Sequence, residues 1–252
     1  MPRSLALALA TPTLLVALGG CGADKEKSPA GRTTGAKTQA TQTQAASTRS
    51  KRATAKGLPP GPRTCLRVPG PKPKGAQHLP RPKLKLKPGA TAIVETSCGN
   101  FAIALDVKRA PRTAASFAYL AKRGFYDSLT IHRIVPGFVI QGGDPLGTGQ
   151  GGPGYSVVEP PPSSLHYTRG VVAMAKTEIE DPGTSGSQFF IVTGPDAQLP
   201  ADYALVGQVS AGINVVDRIA TQPTNQTSPD PARREQPARP VVIRRIEVRE
   251  SG

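Results

Sequence analysis

Short runs of aliphatic, aromatic and β-branched residues, separated by turn residues, occupy the chain from about residue 91 to its end. In order they are TAIVETS, FAIALD, LTIHRI, FVIQGG, GVVAMAK, SQFFIVTG, YALVGQV and VVIRRIEVRE. CGN separates the first two runs, and Val135, Pro136 and Gly137 stand between the third and fourth, which is typical of hairpins. The last run alternates apolar and charged positions, as a strand with one buried face does. The pattern predicts a mainly β domain.

Two segments have helical spacing instead. Pro111 suits a first helical turn, apolar residues recur after it at spacings of three and four, and Gly124 stands where a helix would end. A second helix, INVVDRIATQ from Ile213, precedes a Pro-rich loop of residues 222–240. Many short strands with only two helices indicate a closed or nearly closed β-barrel with helices at its ends.

The N-terminal third carries the whole net charge. Residues 1–88 contain 17 Lys or Arg and 2 acids, whereas residues 89–252 contain 15 of each. Residues 22–87 have no sustained period and too few apolar positions to bury, so we expect a basic disordered tether over residues 21–88, followed by a folded domain over 89–252. A nucleic-acid-binding domain would carry its basic residues on a folded face, so no nucleic-acid partner is expected.

The first 20 residues have the features of an export signal: a basic start, a short apolar run and small residues before Cys21. LGGC resembles the lipobox of bacterial lipoproteins, in which the cysteine is lipidated. An ordinary cleaved signal is the alternative. We therefore expect a protein outside the cytoplasm, held to the cell membrane by a lipid on Cys21. The basic tether is either weakly attracted to anionic lipid or wall polymer, or a solvated linker.

Two further cysteines, Cys65 and Cys98, remain after Cys21. In an oxidising compartment an even number of cysteines favours a disulfide, which would join the end of the tether to the start of the domain. Two unpaired thiols are equally compatible with the sequence.

Several kinds of chemistry have little support. His132 is the only histidine within strand-like sequence, no serine lies in a strand-to-helix elbow, and Cys and His lack metal-ligand spacing. GTGQGGPG, from Gly147, contains Pro153 and is followed by no helical pattern, which favours an open loop over a phosphate site. We expect no metal and no cofactor.

The segment HRIVPGFVIQGGDP raises a different possibility. Arg133, Phe138 and Gln141 cannot share one face by strict alternation, so the turn must bring them together. An arginine within so apolar a run needs partners, because an unpaired buried charge is costly. A surface salt bridge is the alternative role for Arg133.

FYDSLTIHRIVPGFVIQGGDP, GVVAMAK and GTSGSQFFIVTG together resemble the cyclophilin family of peptidyl-prolyl cis/trans isomerases, from about residue 91 to the end of the chain. The resemblance implies a closed eight-stranded antiparallel β-barrel capped by two α-helices. It assigns catalysis to Arg133 and Gln141. It assigns substrate contacts to Phe138, Met174, Ala175, Gln188, Phe190, Leu199 and Tyr203. His132 is expected to be structural.

Three positions depart from the family pattern. Gln198 replaces a tryptophan and Tyr203 a histidine common in eukaryotic members, which argues against high cyclosporin affinity; Lys176 replaces the usual asparagine. Taken with the export signal, the resemblance leads us to expect an isomerase that binds proline-containing polypeptides and assists the folding of exported proteins, and we expect it to be a monomer. A cyclophilin-fold binding module without turnover, and a protein in which the tether is the functional part, are the alternatives.

Overall fold

The computed structural model describes residues 58–83 and 85–250. The predicted signal peptide, Cys21 and the tether up to residue 57 lie outside these residues. In chain order the strands are β1 (Thr91–Thr96), β2 (Gly99–Leu105), β3 (Thr130–Val135), β4 (Val139–Gly142), β5 (Val157–Val158), β6 (Val171–Met174), β7 (Thr184–Ser185), β8 (Phe189–Val192), β9 (Leu205–Ala211) and β10 (Val241–Arg249). The helices are α1 (Pro111–Lys122) and α2 (Ile213–Ala220), with a short 3-10 helix at Pro231–Arg233. Neither α-helix in the described part of the chain is long and apolar enough to cross a bilayer.

Eight of the strands close into one antiparallel barrel in the order β1-β10-β3-β4-β8-β6-β9-β2, and β5 pairs with β7 separately. Both helices contribute buried residues to the core of this barrel, among them Phe117 of α1 and Val216 of α2. The prediction of a mainly β, closed eight-stranded barrel with two helices is therefore confirmed. The β5–β7 pair and the 3-10 helix were not predicted, because each is too short to have a period.

The strands of one side of the barrel are buried on both faces. In β8, Phe189 and Ile191 belong to the main core, which we call the inner cluster, whereas Phe190 and Val192 belong to a second group, the outer cluster. Successive side chains of a strand point to opposite faces, so the two clusters lie on opposite sides of the sheet. Strand β4 divides in the same way, with Ile140 in the inner cluster and Val139 in the outer one. Fully burying such a side chain stabilises the fold by about 1.5–3 kcal/mol.

Helix α1 begins where the sequence predicts and is capped by a carboxylate from a distant loop. The Glu159 side chain accepts hydrogen bonds from the backbone N–H groups of Arg112 at 3.1 Å and Thr113 at 2.7 Å. A carboxylate here satisfies two unpaired donors and complements the positive end of the helix dipole. The helix is followed by Gly124 with φ of 65°, a conformation that glycine adopts without strain.

The N-terminal segment differs from the prediction of a tether reaching residue 88. Residues 58–83, which we call the strap, have no regular secondary structure but lie against the barrel. The backbone N–H of Leu66 donates to the Ser97 carbonyl, and that of Leu79 to the Pro153 carbonyl, each at 2.8 Å. The strap was not predicted because backbone hydrogen bonds of this kind leave no trace in apolar periodicity.

A disulfide between Cys65 and Cys98 holds the strap to the turn between β1 and β2. Near it, the side-chain amide of Asn100 donates to the Pro59 carbonyl at 3.0 Å. Further along, the Lys74 ammonium donates to the carbonyls of Gly124 at 3.1 Å and Phe125 at 2.9 Å. The strap is thus attached at several separate points.

Candidate active site

The β3–β4 hairpin brings the two predicted catalytic residues together. Arg133 lies directly opposite Gln141 in the antiparallel register, and paired residues place their side chains on the same face of the sheet. The turn between them contains Gly137 with φ of 72°. The Arg133 guanidinium donates from Nη1 to Gln141 Oε1 over 3.5 Å, a long and therefore weak hydrogen bond.

A chain of side-chain amides continues from Gln141 to the GTGQGGPG segment of residues 147–154, which we call the Gly-rich loop. Gln141 Nε2 donates to Gln188 Oε1 at 3.0 Å, and Gln188 Nε2 donates to the carbonyls of Gly149 and Gly151 at 2.9 Å each. Each amide therefore accepts on one side and donates on the other, which fixes the orientation of both glutamines. The position of the Arg133 side chain is thus coupled to the conformation of this loop.

The Gly-rich loop is itself organised by Asp144, which is buried at the end of β4. Its carboxylate accepts hydrogen bonds from the backbone N–H groups of Leu146 at 2.8 Å, Thr148 at 2.7 Å and Gly149 at 2.5 Å. A phosphate-binding loop would need such N–H groups for its ligand. Here the protein's own carboxylate occupies three of them, in agreement with the interpretation of this segment as an open loop.

The predicted apolar contacts gather in the outer cluster. Phe190 is one of its buried residues, and Phe138, Ala175, Leu199 and Tyr203 pack against it while remaining partly exposed. The rings of Phe190 and Tyr203 meet edge to face with centroids 5.5 Å apart. Because Phe190 lies directly opposite Gln141 on the neighbouring strand, this apolar surface adjoins the Arg133 hairpin.

Met174 does not lie in this site. Its side chain is 1% exposed and belongs to the inner cluster, so the structure does not bring it together with the other predicted substrate contacts. The reason is the alternation along β6: Ala173 and Ala175 contact the outer cluster, and Met174 between them faces the barrel interior. The apolar residue under the site that the prediction missed is Val139, which belongs to the outer cluster next to Phe138.

Tyr203 is held in place from two sides. Its backbone exchanges hydrogen bonds with the buried Tyr167 hydroxyl, which donates to the Tyr203 carbonyl at 2.6 Å and accepts from its N–H at 2.9 Å. Burial, opposed by this hydrogen bond, raises the pKa of Tyr167 to about 12. The Lys176 ammonium lies 5.6 Å from the centre of the Tyr203 ring, within range of a cation–π interaction. Two of the three departures from the family pattern thus contact one another.

Sequence reasoning missed two contributions from segments distant in the chain. The Glu235 carboxylate, in the Pro-rich loop, forms an ion pair with Arg133, so the alternative of a salt bridge for this arginine is also realised. A cavity of about 570 Å³ adjoins Gln141 and Gln188, and one of its walls is formed by Gln77 of the strap. No sequence signal marks either residue, because each acts through a contact between segments far apart in the chain.

Within residues 58–83 and 85–250, no three His, Cys, Asp or Glu side chains lie close enough together to hold a metal ion.

Comparison with known proteins gives one consistent family. The sequence profile described as "Cyclophilin type peptidyl-prolyl cis-trans isomerase/CLD" matches residues 91–248. Peptidyl-prolyl cis-trans isomerase-like 1 of Neurospora crassa is 42% identical over 137 residues, which are 53% of this chain and 82% of the relative. The protein of the same name from Aspergillus fumigatus is 38% identical over 168 residues, which are 65% of this chain and 98% of the relative.

Solved structures agree. A cyclophilin type peptidyl-prolyl cis-trans isomerase of Cryptosporidium parvum, crystallised in the presence of the dipeptide Ala-Pro, superposes with a TM-score of 0.57 at 28% identity. The match covers 64% of this chain and 99% of that protein. The family match covers more than half of the sequence and includes residues of every strand of the barrel, and on that basis the chain belongs to the cyclophilin-type peptidyl-prolyl cis-trans isomerases, which act on proline-containing polypeptides.

Proposed function

We propose that this isomerase acts on X-Pro bonds of exported polypeptides, with Arg133 as the hydrogen-bond donor to the proline nitrogen. The observation that carries the proposal is the placement of the partly exposed Arg133 guanidinium. It stands at one end of the Gln141–Gln188 hydrogen-bond chain and beside the apolar surface of the outer cluster.

Rotation about an X-Pro bond is opposed by amide resonance, with a barrier of about 18–20 kcal/mol, and takes about tens to hundreds of seconds without a catalyst. No covalent bond forms or breaks, so the reaction needs no nucleophile, acid or base. In the twisted transition state conjugation is lost, and the proline nitrogen gains a lone pair that can accept a hydrogen bond. A donor directed at this lone pair accelerates rotation because it stabilises the twisted state more than the planar one.

Arginine suits this task. Its guanidinium is planar, carries five N–H donors and stays charged at every relevant pH. Phe138, Phe190 and Leu199 would hold the pyrrolidine ring by apolar contact. Gln141, which is a neighbour of Arg133 in the hairpin, would orient the guanidinium or bind a substrate carbonyl.

The test is the isomerisation rate of an X-Pro peptide, measured by exchange NMR with the full chain and with Arg133→Ala. Arg245→Ala is the matched control. Arg245 also forms an exposed ion pair, at 2.7 Å from Glu95 of β1, and this pair lies outside the site. We expect strong acceleration by the parent and the control, and near loss in Arg133→Ala. Equal rates for all three proteins would show that Arg133 is not the donor.

The cellular site is a separate part of the proposal: an exported protein, held to the membrane by a lipid on Cys21. It is supported by the LGGC motif and by the Cys65–Cys98 disulfide, since structural disulfides persist mainly in oxidising compartments. Labelling with a fatty-acid analogue should mark the full chain and not a Cys21→Ala variant. A full chain that carries no label in the membrane fraction would contradict the anchor.

The basic N-terminal segment would assist by weak attraction to anionic lipid or wall polymer. Because residues 58–83 contact the barrel, the variant that tests this should lack only residues 22–57. We expect the full chain to co-sediment with anionic vesicles more than the variant does, and the difference to disappear at high salt. We also propose that the protein acts as a monomer, which sedimentation velocity would test directly.

A further inference from the structure

The shortest contact of the Arg133 guanidinium is with a residue of the Pro-rich loop. Arg133 Nε donates to Glu235 Oε2 at 2.5 Å, whereas the hydrogen bond to Gln141 measures 3.5 Å. We propose that Glu235 is a positioning residue, which sets the plane of the guanidinium so that a terminal N–H points at the proline nitrogen. This inference rests on the proposed role of Arg133.

Glu235 is held in place although 102 residues separate it from Arg133. Its carbonyl accepts a hydrogen bond from the backbone N–H of Ile134, the residue after Arg133, at 2.7 Å. Glu235 is therefore attached to strand β3 by its backbone and to the guanidinium by its side chain. Two contacts to consecutive residues define the position of the carboxylate better than an ion pair between two flexible side chains would.

The rest of the loop supports this position. The backbone N–H of Asn225 donates to the Gln236 carbonyl at 3.0 Å, and that of Ala238 to the Pro223 carbonyl at 2.8 Å. The 3-10 helix just before Glu235 is capped by Asp230, whose side chain accepts from the Ala232 N–H at 3.0 Å. The two ends of the loop thus pair with each other, so the segment that carries Glu235 is braced on both sides.

The geometry of the ion pair distinguishes positioning from inhibition. Glu235 engages Nε, and Gln141 engages Nη1, while within the described residues no hydrogen bond is formed by Nη2. The side chains of Arg133 and Glu235 are 35% and 49% exposed, so substrate can reach the remaining donors. A carboxylate that blocked the site would be expected on the terminal nitrogens instead. With the guanidinium already oriented, less conformational freedom is lost when substrate reaches the transition state.

Glu235→Gln in the full chain tests the inference, because it keeps the size of the side chain and removes its charge. We expect kcat to fall by about fivefold, the upper range for an exposed ion pair, with KM nearly unchanged. Glu95→Gln is the matched control, because it removes an ion pair with Arg245 that joins β10 to β1, whereas Arg133 lies on β3. This variant should leave kcat unchanged.

The double variant gives the decisive comparison. In an Arg133→Ala background, Glu235→Gln should have no further effect on the rate, because the residue acts only through the arginine. An unchanged or increased kcat in the single variant, or an equal fractional loss in both backgrounds, would overturn the positioning role. The NMR signal of the Arg133 Nε–H group reports the contact without activity: it should shift in Glu235→Gln and not in Glu95→Gln. If the Arg133 Nε–H signal does not shift in Glu235→Gln, this inference is overturned. If Arg133→Ala is fully active, the proposed role of the arginine itself is overturned.

Discussion

Gln188 lies between Gln141 and the Gly-rich loop, accepting from Gln141 Nε2 at 3.0 Å and donating to two loop carbonyls. Because Gln141 is also the acceptor for Arg133, the two glutamine side chains together link the loop to the guanidinium. Gln141 lies on β4, directly opposite Phe190 of the adjacent β8, and Gln188 immediately precedes β8, two residues before Phe190.

Replacement of this link should therefore impair activity and loosen the loop. We expect Gln188→Ala to lower kcat/KM by about tenfold and stability by about 1 kcal/mol, since two carbonyls and one amide lose a partner. Exchange NMR and urea unfolding measure the two effects. If Gln188→Ala and Gln141→Ala have independent effects on the rate, the two amides do not act as a chain.

The shape of the arginine side chain should matter as well as its charge. Arg133→Lys keeps the charge but cannot contact Glu235, Gln141 and substrate at the same time. We expect kcat/KM to fall at least about tenfold, equivalent to about 1.4 kcal/mol of transition-state stabilisation. Stability, measured in urea, should change by less than about 0.5 kcal/mol because the side chain is partly exposed. A lysine variant with parental activity would indicate that a positive charge alone is sufficient.

The stability of the fold should decrease when the pH falls below the ordinary pKa of a histidine side chain. Burial lowers the pKa of His132 from its ordinary value of 6.5; nearby Asp144 opposes this effect and Arg133 adds to it. The unfolded chain therefore binds a proton near pH 6.5 that the folded chain takes up only at lower pH, and the free energy of unfolding falls over this interval. Urea unfolding between pH 7.5 and 5 should show this loss. It should be smaller in His132→Asn, and identical pH slopes for both proteins would exclude His132 as its source.

Loss of the disulfide should free the strap and destabilise the fold. Cys65 and Cys98 are 33 residues apart, and a bridge over a loop of this length stabilises by about 2–4 kcal/mol. We expect the double variant Cys65→Ser with Cys98→Ser to unfold at lower urea, and a reductant to lower the parent to the same midpoint. The reductant should have no effect on the double variant. A parent midpoint insensitive to reduction would mean that the bridge contributes nothing to stability.

Gly194 marks a place where two backbones approach too closely for a side chain. A Cβ at this position would overlap the Gly137 carbonyl oxygen in the β3–β4 turn. Gly194→Ala should therefore cost about 1–3 kcal/mol and raise KM, because the turn that carries Phe138 must move. Gly152→Ala is the control, since its Cβ would meet no atom within 4 Å. Equal stability of the two variants would contradict the close approach.

The sequence predicted those features that depend on the position of a residue within one strand, turn or helix. The turn at Pro136 and Gly137 predicted that Arg133 and Gln141 would meet, and the spacing after Pro111 predicted α1. Met174 shows the limit of a motif match: the motif gives the neighbourhood of a residue, whereas the side of the strand it faces depends on the register.

Contacts between distant segments could not be predicted in this way. Glu235 lies in a loop without periodicity, and its role follows only from its contact with a side chain on β3. The strap resembled a disordered segment because its charge and proline content are those of one. Its order comes from the bond to Cys98 and from backbone hydrogen bonds, neither of which depends on an apolar pattern.

The closure of the barrel has a consequence for a protein that handles extended polypeptides. An open sheet presents unpaired N–H and C=O groups along its edge strands, and these can recruit another chain into a growing aggregate. In the eight-stranded ring each strand has a neighbour on both sides, and among the described residues the one open pair of strands, β5 with β7, has only two residues per strand. Side chains can therefore bind and release proline-containing segments, and few exposed strand edges are present to which such a segment could add as a further strand.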